Sequence, residues 1–142
     1  MASILKLDIV TQEKRLLTVE TKQITAETAM GEITILPGHV PLVTRLTEGL
    51  LRFLLPSGEE EIVAIFGGFL ELNGEGECSV LADSAVRADD IDIAKVEEAK
   101  KDAEAALQDK TKEQEFVLAE AALRRTALEL KAADRKTRHS QT

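Results

Sequence analysis

A chain of 142 residues, 44% hydrophobic but only 3% aromatic and without Trp or Tyr, has the material for one aliphatic core with an appendage. A net charge of −8 and a pI near 4.9 exclude the basic surface that nucleic acid requires, and the scarcity of aromatics excludes stacking on bases. An anionic membrane surface is disfavoured on the same electrostatic ground, so any membrane association is expected to come through a partner.

Near the N-terminus, Leu5, Leu7 and Ile9 alternate with Lys6, Asp8 and Val10, the two-residue period of a half-buried strand. Gln12 to Arg15 reads as a turn, and Leu17, Val19 and Ile24 continue strand-like content. The run Gly31 to Gly49 is the most informative in the chain. Ile33 and Ile35 alternate with Glu32 and Thr34, and Pro37-Gly38 suits a tight turn, proline fixing one φ and glycine supplying the positive one after it. Leu42, Val43 and Leu46 resume apolar content, and Glu48-Gly49 carries a second turn signal. Leu50 to Leu55 is an apolar run interrupted only by Arg52, and Pro56-Ser57-Gly58 turns the chain again.

The acidic triplet Glu59 to Glu61 suits a solvated strand edge better than a cation site. Ile62 to Phe66 is a β-branched strand, and Gly67-Gly68 inside it marks a bulge or a close backbone approach. It is no phosphate loop, since neither the required Lys-Ser/Thr nor a helix pattern follows. Leu70 and Leu72 flank Glu71, Asn73-Gly74 signals a hairpin, and Cys78, Val80 and Leu81 form the return strand. Cys78 is read as a small buried strand residue, and as the only cysteine it forms no internal disulfide. Many short strands without an intervening helix imply an antiparallel sandwich or barrel over residues 1–87.

Composition changes at Arg87-Ala88. Beyond it there is no Gly and no Pro, while Ala, Glu and Lys abound. The first helix is expected from Ile91 to about Gln108, capped by Asp89 or Asp90, with Asp92 adding charge that the dipole favours. Its seam is Val96, Ala99, Ala103 and Ala106. A second helix, from about Thr111 to Arg135, carries Phe116, Ala119, Leu123, Thr126, Leu130 and Ala133 at the same spacing. An antiparallel hairpin turning near Asp109-Lys110 follows, so residues 88–142 form a second domain. The fold class is thus α+β, a sandwich followed by a two-helix hairpin. A seam built mostly of alanine zips weakly, each methyl-sized group contributing only about 0.8 kcal/mol, so the hairpin needs a docking surface and can exchange one for another.

Charge is divided along the hairpin. Asp89 to Glu120 holds eleven acidic and five basic residues, and Arg124 to Arg138 six basic and two acidic. Arg124, Arg125, Lys131, Arg135, Lys136 and Arg138 suit an acidic protein partner. Catalysis lacks a constellation: His39 sits in a loop, His139 in a tail expected to fray, and two histidines with one cysteine so scattered build no zinc site. No apolar run reaches the roughly 18 residues of a membrane span. No basic and apolar leader stands at the N-terminus, so a cytosolic protein is expected.

Gly31-Glu32-Ile33, Leu36-Pro37-Gly38-His39 and Pro41-Leu42, followed by Gly67-Gly68-Phe69-Leu70-Glu71, Leu81-Ala82-Asp83 and Asp89-Asp90-Ile91-Asp92, resemble in that order the signature of the epsilon subunit of rotary F-type ATP synthases. The resemblance spans nearly the whole chain. It implies a non-catalytic central-stalk subunit at the cytoplasmic face of the membrane, its sandwich bound to the gamma subunit and resting on the c subunits of the rotor ring. Glu32 and the turn Leu36, Pro37, Gly38 and His39 are then the ring contacts. It further implies a regulatory hairpin that blocks ATP hydrolysis among the catalytic alpha and beta subunits, with Arg124, Arg125 and Lys131 facing acidic residues of beta. The alternative reading is an ATP-sensing module. Members that bind ATP do so through Ile/Leu-Asp-x-x-Arg-Ala and arginines of the second helix, which leaves Asp92, Lys95 and Arg125 as candidates. Here Lys95 and Val96 replace the motif's Arg-Ala, and Glu129 stands where a second arginine falls. A lysine lacks the bidentate fork and a glutamate repels phosphate, so no cofactor is expected.

Overall fold

A computed structural model describes residues 4–108 and 113–140. The chain divides into two compact units, Met1–Arg87 and Ala88–Thr142.

The first unit contains eight strands: β1 (Leu5–Val10), β2 (Arg15–Thr21), β3 (Gln23–Thr28), β4 (Gly31–Ile35), β5 (Leu42–Leu54), β6 (Glu60–Leu72), β7 (Glu77–Ala82) and β8 (Ala85–Arg87). They join in the order β2-β1-β7-β6-β5-β3-β4, with β8 on β6. Every pair is antiparallel except β1 with β7, which is parallel, so the sheet is mixed where uniform antiparallel pairing is expected. The exception has a topological cause: the N-terminal strand inserts beside a strand some seventy residues later, and no hairpin links the two. The alternation read in the sequence sets the core. Leu7, Ile9, Ile24, Ile35, Leu70 and Val80 have no exposed surface, and Cys78 lies among them.

Two glycine signals resolve differently. At Gly67-Gly68 the ladder of β6 changes partner: Gly68 to Leu72 pair with β7 and Val63 to Ile65 with β8. Both glycines have positive φ, and a Cβ on Gly68 would stand 2.1 Å from the Leu81 carbonyl oxygen, so this is the close approach the sequence signals. Glu48-Gly49, in contrast, is no turn. β5 continues through it for thirteen residues. The irregularity lies on the β3 side, where the register slips between the Thr25–Arg52 and Thr28–Leu46 pairs. There Glu27 Oε2 accepts the Leu50 amide at 3.1 Å, and Gly49 leaves room for the Glu27 side chain. The β6–β7 hairpin forms as expected around Asn73, whose Oδ1 accepts the Glu75 and Glu77 amides, but the positive φ falls on Gly76 rather than Gly74.

The second unit begins with a 3-10 turn, Ala88–Asp90, followed by α1 (Ile93–Leu107) and α2 (Glu113–Ser140). The cap of α1 is Asp92, not Asp89 or Asp90. Its Oδ1 accepts the Ala94 and Lys95 amides at 3.1 and 3.3 Å, while Asp89 pairs with Lys136 near the end of α2. That pair joins the start of the unit to the end of α2, as an antiparallel hairpin requires; the expected turn at Asp109-Lys110 lies outside the described residues. Ala119, Thr126 and Ala133 are buried in the seam, with Phe116, Leu123 and Leu130 half-buried. Ala99 is exposed, and Ala132, absent from the expected seam, is fully buried. α2 outruns its expected end by five residues. His139 therefore sits in a helical turn, its Nδ1 donating to the Arg135 carbonyl at 3.1 Å, rather than in a frayed tail.

Candidate protein-interaction surfaces

Along β4 and the turn after it, the residues expected at the ring share one edge of the sheet, since β4 ends the strand order. The turn is closed by the His39 amide donating to the Leu36 carbonyl at 3.0 Å, with Pro37 second and Gly38 third at φ 88°. His39 Nδ1 donates to the Val40 carbonyl, which pins the ring against the loop. Leu36 and Val40 stay exposed around it. Glu32 lies four residues earlier, about 13 Å along the strand, so the structure strings these residues along one edge rather than clustering them. The Glu32 carboxylate is paired with Arg52 of β5, Oε1 to Nη2 at 3.1 Å.

A second surface is one that sequence reasoning missed. On the outward face of β5, β6 and β7, where alternation calls for polar side chains, Val43 is 71% exposed, Phe69 55% and Leu81 61%. The register sets Phe69 directly opposite Leu81, which in turn faces Val10 of β1, while Arg45 flanks Phe69 on the other side. Val43 is diagonal to Phe69 and completes an apolar row with a polar rim of Arg45, Glu71 and Ser79. The signal was available: Leu81 breaks parity with the inward Cys78 and Val80, and Phe69 with Leu70.

In the second unit, heptad spacing places Arg124 and Lys131 on one face of α2, both exposed. Arg125 lies a step round the helix, its Nε 3.1 Å from Glu129 Oε1. The ATP candidates are not brought into one open cradle. Asp92 is engaged as the helix cap, Arg125 with Glu129, and Lys95 is exposed on α1. Val117 and Leu118 add exposed apolar surface near the start of α2. Among the described residues, no three His, Cys, Asp or Glu side chains gather as a metal set, and no helix is long and apolar enough to cross a membrane.

A sandwich that exposes an apolar row, joined to a thinly packed helix pair, has the surfaces of a protein-binding module. Comparison with known proteins specifies which. Residues 4–88 match the β-sandwich domain of the ATP synthase delta/epsilon chain, and residues 89–134 match its long α-helix domain. The chain belongs to the epsilon-subunit family of F-type ATP synthases. It is 43% identical to the ATP synthase epsilon chain of Laribacter hongkongensis over 133 residues, 93% of this chain and 94% of that one. With the epsilon chain of Dehalococcoides mccartyi strain BAV1 it shares 44% over 138 residues, 96% and 97% of the two chains. Among solved structures it resembles a chain in the Euglena gracilis mitochondrial ATP synthase assembly of OSCP, F1 and c-ring, with a TM-score of 0.77 and 28% identity, covering 94% of this chain and 82% of that one. A chain of the Tetrahymena thermophila mitochondrial ATP synthase central stalk and c-ring, at 15% identity and TM-score 0.53, covering 91% of this chain and 96% of that one, shares the fold. Epsilon is a subunit of the synthase and not its catalytic one.

Proposed function

We propose that this chain links the gamma subunit to the membrane rotor ring and restrains ATP hydrolysis through its helices. The observation that carries the reading is the outward apolar row Val43, Phe69 and Leu81, a surface with the aromatic centre and polar rim of a protein interface. Gamma is its occupant in this reading. The β4 edge with Glu32 and the turn Leu36 to His39 rests on the polar loops of the c subunits, which holds the protein at the cytoplasmic side of the membrane. In the restraining state the helices leave their hairpin, and Arg124, Arg125 and Lys131 meet acidic residues of beta within the alpha–beta ring. Three features support that exchange: the alanine seam, the exposed basic face and the exposed Val117 and Leu118. The hairpin works without nucleotide, because Asp92 and Arg125 already have partners within the chain.

Replacing Phe69 and Leu81 by Asp tests the central claim. Retention of gamma in a pull-down should fall by at least tenfold, the scale of a central interface anchor. Undiminished binding by the folded double variant refutes the reading. Ending the chain after Ala88 should raise the ATPase rate of the assembled complex, and an unchanged rate removes the restraining role.

A further inference from the structure

Glu32 stands at an awkward place in the sheet. Its register partner on β3 is Glu27, and like charges directly opposite one another destabilise a strand pair. Two features relieve the conflict. The Glu27 carboxylate turns to the Leu50 amide, over the space left by Gly49. From β5, Arg52 reaches diagonally across β3: its register partner is Thr25, whose own partner on β4 is Thr34, and its Nη2 meets Glu32 Oε1 at 3.1 Å. The two partners differ in exposure. The arginine side chain is 22% exposed and the glutamate 54%, so a largely covered guanidinium holds an open carboxylate at the sheet edge. The contact runs through Oε1, and more than half of the glutamate side chain stays open to solvent.

We propose that Arg52 is a positioning residue for the rotor contact: it fixes Glu32 so that its exposed carboxylate is presented to an N–H-donating or cationic group on the ring's polar loop. The inference rests on the reading of Glu32 as a ring contact given above. Arg52 contributes by ordering, not by touching the ring. Without it Glu32 is free to swing away from Glu27, and docking must then immobilise a side chain that is now held in advance.

The test uses the full-length chain bound to gamma and the detergent-solubilised c ring, with the dissociation constant read by biolayer interferometry. Glu32→Gln should weaken ring binding by about tenfold. Arg52→Gln should weaken it roughly three- to fivefold, the size expected of a partly covered ion pair, and Arg52→Lys by less, since it keeps the charge. Gamma binding, which this reading assigns to the Val43, Phe69 and Leu81 row, should be unchanged in all variants and serves as the check that each is folded. The decisive measurement is Arg52→Gln on the Glu32→Gln background, where its effect should vanish to within about twofold. A Glu32→Gln variant that binds the ring normally refutes the ring-contact reading itself. If Glu32→Gln weakens binding while Arg52→Gln leaves it unchanged or tighter, or costs the same factor on both backgrounds, the positioning role is overturned.

Discussion

Gly68→Ala is the substitution that the sandwich should tolerate least. The added Cβ would lie 2.1 Å from the Leu81 carbonyl oxygen and 2.8 Å from Ala82 Cα. Both are backbone atoms of β7, the strand on which Gly68 is paired, so neither can rotate away. The φ of 136° adds strain that glycine alone avoids. Backbone strain of about 1–3 kcal/mol and overpacking of a similar size sum to about 4 kcal/mol, a large part of the roughly 5–15 kcal/mol that holds a domain together. Without Trp or Tyr the chain offers little fluorescence, but Cys78 supplies a reporter. It lies on β7, is 1% exposed, and reacts with a thiol reagent only when the sandwich opens. A loss of 4 kcal/mol should speed its labelling about a thousandfold at fixed pH. Gly74→Ala is the control, because its Cβ would meet nothing nearer than Pro41 Cγ at 3.8 Å, an ordinary contact. Labelling of Gly68→Ala at the wild-type rate would refute the claim that the close approach is what requires glycine.

Three further outcomes are expected. Asp92→Ala removes the acceptor of the Ala94 and Lys95 amides and should cost about 1 kcal/mol, seen as faster amide exchange in the first turn of α1 with the sandwich unaffected. Burial pushes the Cys78 thiol from 9.0 up to about 12, so its contribution to stability is intact below pH 9 and is lost as pH rises from 9 to 12. The loss approaches about 4 kcal/mol, and urea midpoints of wild type and Cys78→Ala should converge across that window; parallel pH profiles would contradict it. Millimolar ATP should give no heat with the isolated chain in calorimetry, and a saturable isotherm would show that Asp92 or Arg125 can leave its present partner.

Local pattern carried the parts of the fold that depend on local rules. Alternation in β1 and β7, the Leu36 to His39 turn and the helical seam each follow from a few adjacent residues. The features that differ depend on a partner distant in sequence. Glu48-Gly49 reads as a turn until Glu27, more than twenty residues away, is seen to supply the acceptor that keeps β5 continuous. Arg52 reads as an interruption of an apolar run until Glu32 is found across two strands. The cap of α1 fell on Asp92 because Asp89 and Asp90 lie in a 3-10 turn, with Asp89 drawn to Lys136. The outward row of Phe69 and Leu81 was legible in strand parity alone. Apolar residues in strands are by default core, and this row is an exception to that rule.

The two units are built to different tolerances, and this difference is what the proposed division of roles requires. The sandwich buries branched and long aliphatic side chains from six strands, so removing any one leaves a cavity that costs about 2–5 kcal/mol. In the hairpin, Ala103, Ala119, Ala132 and Ala133 fill most of the buried positions, and the larger Leu123 and Leu130 are only half-covered. Alanine permits close helix approach but contributes little area, and the ion pair of Lys136 with Asp89 is about one-third exposed, which limits it to about 1 kcal/mol or less. α2 meanwhile keeps Val117 and Leu118 in solvent, apolar surface its present partner does not use. A second host that covered those residues and the Arg124–Lys131 face would offer contacts comparable to the ones given up. In the proposed exchange between hosts the sandwich need not unfold, and the proposed grip on the rotor could be kept while the helices move.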